Sequence, residues 1–192
     1  MNFTKNGGGG IREKLREATS RRHAELDRIA GSLLVRGPEG YARFLAGQGA
    51  VVIPLEKRLE ISGITTVLPD WNMRARRYDL KADLREIARP CEFLEVPVFR
   101  STAELLGAAY VLEGSRLGAS LLLQTLRFPT ATRFLRHGHG KGLWPQFLSV
   151  LETNNEVRDH FDEARMAALE VFELFIRAMQ NVAHFTALDA AE

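Results

Sequence analysis

Apolar residues recur three or four positions apart along most of the chain and nowhere alternate convincingly with polar ones. Ile11, Leu15, Ala18, Leu26, Ile29 and Leu33 predict a first amphipathic helix over 11–35, which "RGPEG" at 36–40 breaks. Pro38 suits the first turn of a second helix, which carries Tyr41, Phe44, Leu45, Val52, Leu55 and Leu59 and ends near "ISG" at 61–63. Pro54 falls inside it and predicts a kink or two shorter pieces. The stretch "ITTVLPDWNM", 64–73, reads as a loop with an aromatic anchor, followed by a third helix over 74–88. Pro90 and Pro97 then block helix through most of "RPCEFLEVPVFRS". Ser101 or Thr102, with Glu104 close behind, reads as an N-cap. The helix it opens, 102–127, is apolar almost all round and is therefore expected at the centre. A loop containing "RHGHGKG" leads to a short helix over 143–153 and a final one over 155–183. The pattern predicts a single-domain, all-α helical bundle without repeats.

Composition narrows the class. The 192 residues are 45% hydrophobic and 26% charged, which describes a soluble globular domain. A net charge of +2 is too small to argue for nucleic acid or a membrane surface. The single cysteine, Cys91, allows no intramolecular disulfide, makes the cytoplasm the default compartment and excludes an all-thiolate metal site. No apolar stretch reaches the ~20 residues of a membrane span, and "MNFTKNGGGG" has no signal-peptide core. Residues 1–10 are expected to be a flexible tail, 11–185 the domain and 186–192 a C-terminal tail.

Two stretches carry candidate chemistry. In "LREATSRRHAELD", 15–27, His23 lies roughly 100° from the centre of the apolar stripe, with Arg16 within about 20° of it. On periodicity alone His23 reads as a boundary histidine bonded to a neighbour. In "YVLEGSRLGASLLL", 110–123, Gly114 and Gly118 sit inside a strongly helical run, where each costs about 1 kcal/mol relative to alanine. Such glycines serve either close helix packing or the approach of a backbone to a flat ligand. A large planar ligand between the two helices would place its iron on a neutral imidazole. Arg16, about 10 Å along the helix from His23, could pair with a carboxylate at its edge. Taken together, the two stretches describe a haem slot.

The first stretch resembles the proximal helix of haem oxygenases, and "YVLEGSRLGA" is similar to the distal helix of the bacterial branch, as is the intervening "LPDWNMRARRYDLKADL" to members found beside bacteriophytochromes. The resemblance spans roughly 11–180. It implies a haem-oxygenase-like bundle with haem between a proximal N-terminal helix and a kinked distal helix. His23 would ligate the iron, Arg16 would meet a propionate, and Arg12, Thr19 and Arg177 would be further haem contacts, with Arg158 a late-chain alternative. Gly114 and Gly118 would approach the haem face with Ser115 and Ala119 beside them. The chain departs from the family at Ala119, where many members have a third glycine. Ser115 replaces the aspartate of animal members, Ser20 replaces a basic residue, and Arg116 adds a bulky cation that is expected to point to solvent or else to reach a propionate.

The family cleaves haem with O2 and external electrons to biliverdin, CO and ferrous iron, so haem is cofactor and substrate together. No flavin or dinucleotide fingerprint is present, which implies an external donor such as a ferredoxin or a reductase. A bacteriophytochrome is an implied recipient of biliverdin. Two further readings stand beside this one: a haem-binding or haem-sensing protein without turnover, and a non-haem role on the same scaffold, as in thiaminase-like or quinone-cofactor oxidases.

Other constellations weigh less. "RHGHGKG" reads as a solvated loop rather than a metal site, and Glu156 with His160 as a surface pair. A di-iron bundle would need Glu-x-x-His motifs, and the chain has none. "RARR", 74–77, reads as a solvated helix start or a docking patch for an acidic redox partner. Trp71 and Trp144 read as packing anchors.

Overall fold

The computed structural model describes residues 9–128 and 131–189, with side chains through His184. Ten helices and no strand occur among these residues. The long ones are α1 (Ile11–Leu34), α2 (Gly37–Ile61), α6 (Thr102–Thr125) and α10 (Phe161–Asp189). Between them lie α3 (Ile64–Val67), α4 (Trp71–Arg74), α5 (Arg77–Glu86), α7 (Arg133–Arg136), α8 (Leu143–Thr153) and α9 (Asn155–Asp159). No helix among the described residues is long and apolar enough to cross a membrane. Residues 1–8 and 190–192 of the two expected tails lie outside the described residues.

The local signals for α1, α6 and α8 are realised closely. Ser101 forms a capping box with Glu104: its hydroxyl accepts the Glu104 amide at 3.2 Å, and the Glu104 carboxylate accepts the Ser101 amide at 3.3 Å. Three expectations need correction. The 64–73 stretch is not a loop but contains α3 and the start of α4, because Ile64, Leu68 and Trp71 are driven into the core and wind the chain around them. Pro54 does not divide α2, which runs through it as one element. Proline leaves the carbonyl four residues back without its helical donor, and the Ala50 oxygen instead accepts the amide of Leu94 at 2.9 Å. The final helix is two: Asn154 caps α9 through the Val157 amide, and His160 leaves helical geometry before α10 begins.

Packing is organised around α10, against which α1, α2 and α6 all lie. Gly107 permits the closest of these approaches, since a Cβ there would overlap the backbone carbonyl of Ala164 on α10. Gly47 of α2 is similarly close to the Met179 side chain, 2.9 Å from where a Cβ would stand. Helix α6 is buried almost continuously from Ala103 to Glu113, but from Gly114 onward its side chains become partly or fully exposed, with Ala119 an exception. The expectation of a wholly central helix therefore holds for its first half only. The second half borders a cleft.

Candidate active site

Arg12, Arg16, Thr19 and His23 fall at steps of four, three and four residues, so they share one face of α1 within about 60°. Tyr110, Gly114, Leu117, Gly118 and Leu121 share a broader face of α6, within about 100°. The two faces approach each other at Tyr110, which lies near Arg12, Arg16 and Thr19. Burial raises the pKa of the Tyr110 phenol, while the Arg12 and Arg16 charges and the Thr19 side chain act on it in the opposite sense. One helical turn beyond Thr19 stands His23, and one turn beyond Tyr110 stands Gly114. Neither helix packs extensively on the other, and α10 supports both.

His23 is largely exposed. Its Nδ1 lies 2.9 Å from the Asp27 carboxylate, and its ring meets Phe172 of α10 edge-on at 5.8 Å. A carboxylate accepts from Nδ1–H and so leaves the lone pair on Nε2, the arrangement of a metal-ligating imidazole oriented by an acidic partner. Thr19 is buried, with its hydroxyl donating to the Leu15 carbonyl at 2.8 Å. Arg12 and Arg16 are exposed.

On α6 the glycines divide by surroundings. Close packing belongs to Gly107, whereas a Cβ on Gly118 meets no atom within 4 Å and one on Gly114 reaches only the Trp144 ring at 3.7 Å. Beside them Leu117 is 52% exposed and Leu121 is 65% exposed. This face is thus flat, apolar and open, the kind of surface that a soluble protein leaves for a ligand. Ala119 lies about 150° around the helix from its centre and is packed into the core. The methyl group that replaces a third glycine therefore does not narrow the cleft.

Behind α6 lies a buried charge network that contradicts the reading of "RARR" as a solvated helix start. Arg74, Arg76 and Arg77 are all buried. Arg74 grips Asp70 through two bonds of 2.8 and 2.7 Å and donates to Glu113 at 2.7 Å. Those bonds hold the Asp70 carboxyl below its ordinary range. Arg77 pairs in two-pronged fashion with Glu60. Arg76 stacks on Phe134 and donates to the Leu112 carbonyl at 2.9 Å and to Ser115 Oγ at 2.6 Å. Burial, with Arg116 nearby, lowers the Arg76 guanidinium to about 10, which still leaves it charged at neutral pH. Glu56, raised by burial, accepts the amides of Arg76 and Arg77 at 2.9 Å each and so anchors the start of α5.

Arg116 belongs to the same network and does not point to solvent as expected. It clasps Glu113 at 2.8 and 3.0 Å and donates to the Arg74 carbonyl at 2.6 Å and the His137 carbonyl at 3.3 Å. Its guanidinium is occupied on the side of α6 opposite the cleft. The signal for this network was present in the sequence as carboxylates set among apolar residues, Glu56 in α2 and Glu113 in α6. Buried carboxylates require cationic partners.

The remaining candidates stand apart. Arg177 is exposed on α10, about 140° around from Phe172, and Arg158 donates to Asn155 and to the Glu152 backbone. His137 of "RHGHGKG" bonds to Asp79 at 2.7 Å and faces the Met73 carbonyl at 3.0 Å. Among the described residues no group of three or more His, Cys, Asp or Glu is placed to hold a metal. His160 lies 4.0 Å from Glu156 and 3.5 Å from Glu163 at the surface. Trp71 is a core anchor, its indole donating to Glu60 at 3.1 Å. Trp144 stands at the cleft, tilted against Tyr110 with ring centres 5.7 Å apart.

The chain is 27% identical over 177 residues to the haem oxygenase PigA of Pseudomonas aeruginosa, covering 86% of this chain and 87% of that protein. It is 32% identical over 87 residues to a haem oxygenase of Xanthomonas campestris pv. campestris, covering 45% of this chain and 53% of that protein. The latter match thus spans about half of the relative's length. Among solved structures, the NO- and CO-bound haem oxygenase of Neisseria meningitidis superposes with a TM-score of 0.77 at 20% identity, covering 91% of this chain and 92% of that one. No family model matches the chain. The chain is thus similar in sequence to two bacterial haem oxygenases and shares the fold of a third.

Proposed function

We propose that the protein binds haem between α1 and α6 and degrades it with O2 and externally supplied electrons to biliverdin, CO and ferrous iron. The observation that carries this reading is the open face of α6, where Gly114 and Gly118 are freed from packing duty and flanked by the exposed Leu117 and Leu121. A flat, largely apolar macrocycle matches that face, and a metal at its centre matches the Asp27-oriented His23. Carboxylates at its edge match Arg12 and Arg16.

When bound, haem supplies both the iron that handles O2 and the ring that is cut. The protein supplies placement. His23 would hold the iron through Nε2, and Arg12 and Arg16 would fix the propionate edge. The bare backbone at Gly114 and Gly118 would admit the macrocycle close to α6, and Leu117 and Leu121 would keep water from its face. Ser115, held by Arg76, stands at the flank of that surface as a fixed hydroxyl. Arg116, clasped to Glu113, and Ala119, packed in the core, would lie away from the haem. The reading requires a reductant, a ferredoxin or reductase of the cytoplasm, and a consumer of biliverdin such as a bacteriophytochrome.

The test is a haem titration followed by a single turnover with ascorbate or a reductase under O2. Loss of the Soret band with formation of bile pigment is the expected result. An intact Soret band after sustained reduction would leave a haem carrier in place of an enzyme, and absence of binding at micromolar haem would remove both.

A further inference from the structure

The first two amides of α1 are held by one distant carboxylate. Ile11 N–H donates to Glu152 Oε2 at 2.9 Å and Arg12 N–H donates to Oε1 at 2.8 Å. A Cβ on Gly10, just before them, would stand 2.8 Å from each of these oxygens and push the carboxylate aside. The last of the four glycines expected to be a tail is thus part of a fitted contact. Glu152 comes from the last turn of α8. The first turn of the same helix carries Trp144, which lies against Tyr110 and under Gly114 of α6. One short helix therefore touches the α6 wall of the cleft at one end and the α1 wall at the other.

We propose that Glu152 is a positioning residue for the haem cleft, acting through the α1 backbone on Arg12 and Arg16. The proposal rests on the haem reading given above. A helix start has four amides without internal partners, and a carboxylate there also meets the positive end of the helix dipole. Both effects fade within about one turn. Loss of the carboxylate therefore frays the turn that carries Arg12 and loosens Arg16 one turn on, while His23 lies beyond its reach. The signature is selective: a propionate edge that is poorly fixed, with axial ligation unchanged.

Three variants test this in the full-length protein: Glu152→Ala, Glu152→Gln, which keeps one acceptor oxygen, and Gly10→Ala, which displaces the carboxylate. The readouts are haem dissociation constants, proton NMR of the haem methyls in the cyanide complex, the iron–histidine stretch of the ferrous complex, and melting temperature. Glu152→Ala is expected to weaken haem binding about tenfold and to split the methyl resonances into more than one seating. The iron–histidine stretch stays unchanged. Glu152→Gln falls between this variant and the parent, and Gly10→Ala adds nothing once Glu152 is alanine. A lowered melting temperature with parental affinity and a single seating overturns the role and leaves Glu152 as a stabilising cap. If Glu152→Ala does not fold, Glu152→Gln and Gly10→Ala decide by the same readouts. Failure of the parent protein to bind haem overturns the haem reading itself, and this role with it.

Discussion

Arg76 donates to Ser115 Oγ at 2.6 Å and, from the same nitrogen, to the Leu112 carbonyl at 2.9 Å. A side chain from outside α6 thus holds that helix at the turn that carries Gly114. Arg76→Met removes the buried donor to Ser115 Oγ, while the Leu112 carbonyl keeps the Ser115 hydroxyl as its donor at 2.7 Å; the expected cost is about 1–3 kcal/mol. Amide exchange should quicken specifically over 112–118. Urea denaturation and hydrogen exchange check this, and Arg76→Lys should not rescue, because an ammonium cannot reproduce the guanidinium's stacking and reach. Unchanged exchange over 112–118 in both variants would show that Arg76 has no hold on the helix.

Gly107 and Gly118 stand on the same helix and should respond oppositely to one added methyl group. At Gly107 the Cβ collides with the Ala164 carbonyl, and α6 must separate from α10; we expect a loss of about 3 kcal/mol. Gly118 has open space around it, so Gly118→Ala should gain up to about 1 kcal/mol in the ligand-free protein while weakening haem binding. Thermal melts of both variants and a haem titration of the second measure these effects. Equal destabilisation by the two substitutions would refute the division of roles.

The pair His23–Asp27 yields a spectroscopic expectation. Asp27→Asn keeps a hydrogen-bond acceptor but removes the charge that makes the imidazole a stronger donor. The iron–histidine stretching frequency of the ferrous complex should fall, and haem affinity should drop about tenfold or more, as for other partners of metal ligands. His23→Ala should abolish axial ligation altogether. Resonance Raman spectra of the three proteins separate these outcomes. An identical stretch in the parent and Asp27→Asn would sink the assignment of Asp27 as the orienting group.

Acid stability should report the Asp70–Arg74 pair. A carboxylate whose folded pKa is lowered contributes stability that is complete above its unfolded value of about 3.9 and is lost as pH falls through the folded value. Two hydrogen bonds from Arg74 lower that of Asp70. The parent should therefore be more stable than Asp70→Asn at pH 6, with the gap narrowing below about pH 4. Urea midpoints measured from pH 6 to pH 2.5 follow the gap directly. A constant difference across that range contradicts the assignment.

The helical order of the chain was legible because local rules governed it: a capping box at Ser101, a proline after Gly37, apolar spacing in α1 and α8. The α1 motif also displayed the face proposed for haem, since Arg12, Arg16, Thr19 and His23 lie on one line by helix geometry alone. What local rules could not show was which glycine serves packing. Gly107, Gly114 and Gly118 all interrupt α6, and only the position of α10 assigns close approach to the first. The three arginines of 74–77 were misread for the same reason. Their partners Glu56, Glu60 and Glu113 lie up to 39 residues away, and charge in sequence says nothing of burial until those carboxylates are placed. Pro54 shows the converse case, in which a helix breaker is tolerated because Leu94 supplies the missing donor.

The contact between Ile11 and Glu152 joins positions 141 residues apart. On a ribosome, α1 with its histidine emerges before α8, and the carboxylate that fixes its opening turn follows 141 residues later. The α1 wall of the cleft therefore reaches its final form late in synthesis. On the proposed haem reading, a nascent chain would already carry His23 while lacking a fixed place for the propionates. Haem met at that stage would be held by one anchor instead of two, and the order of synthesis itself would favour loading of the finished protein.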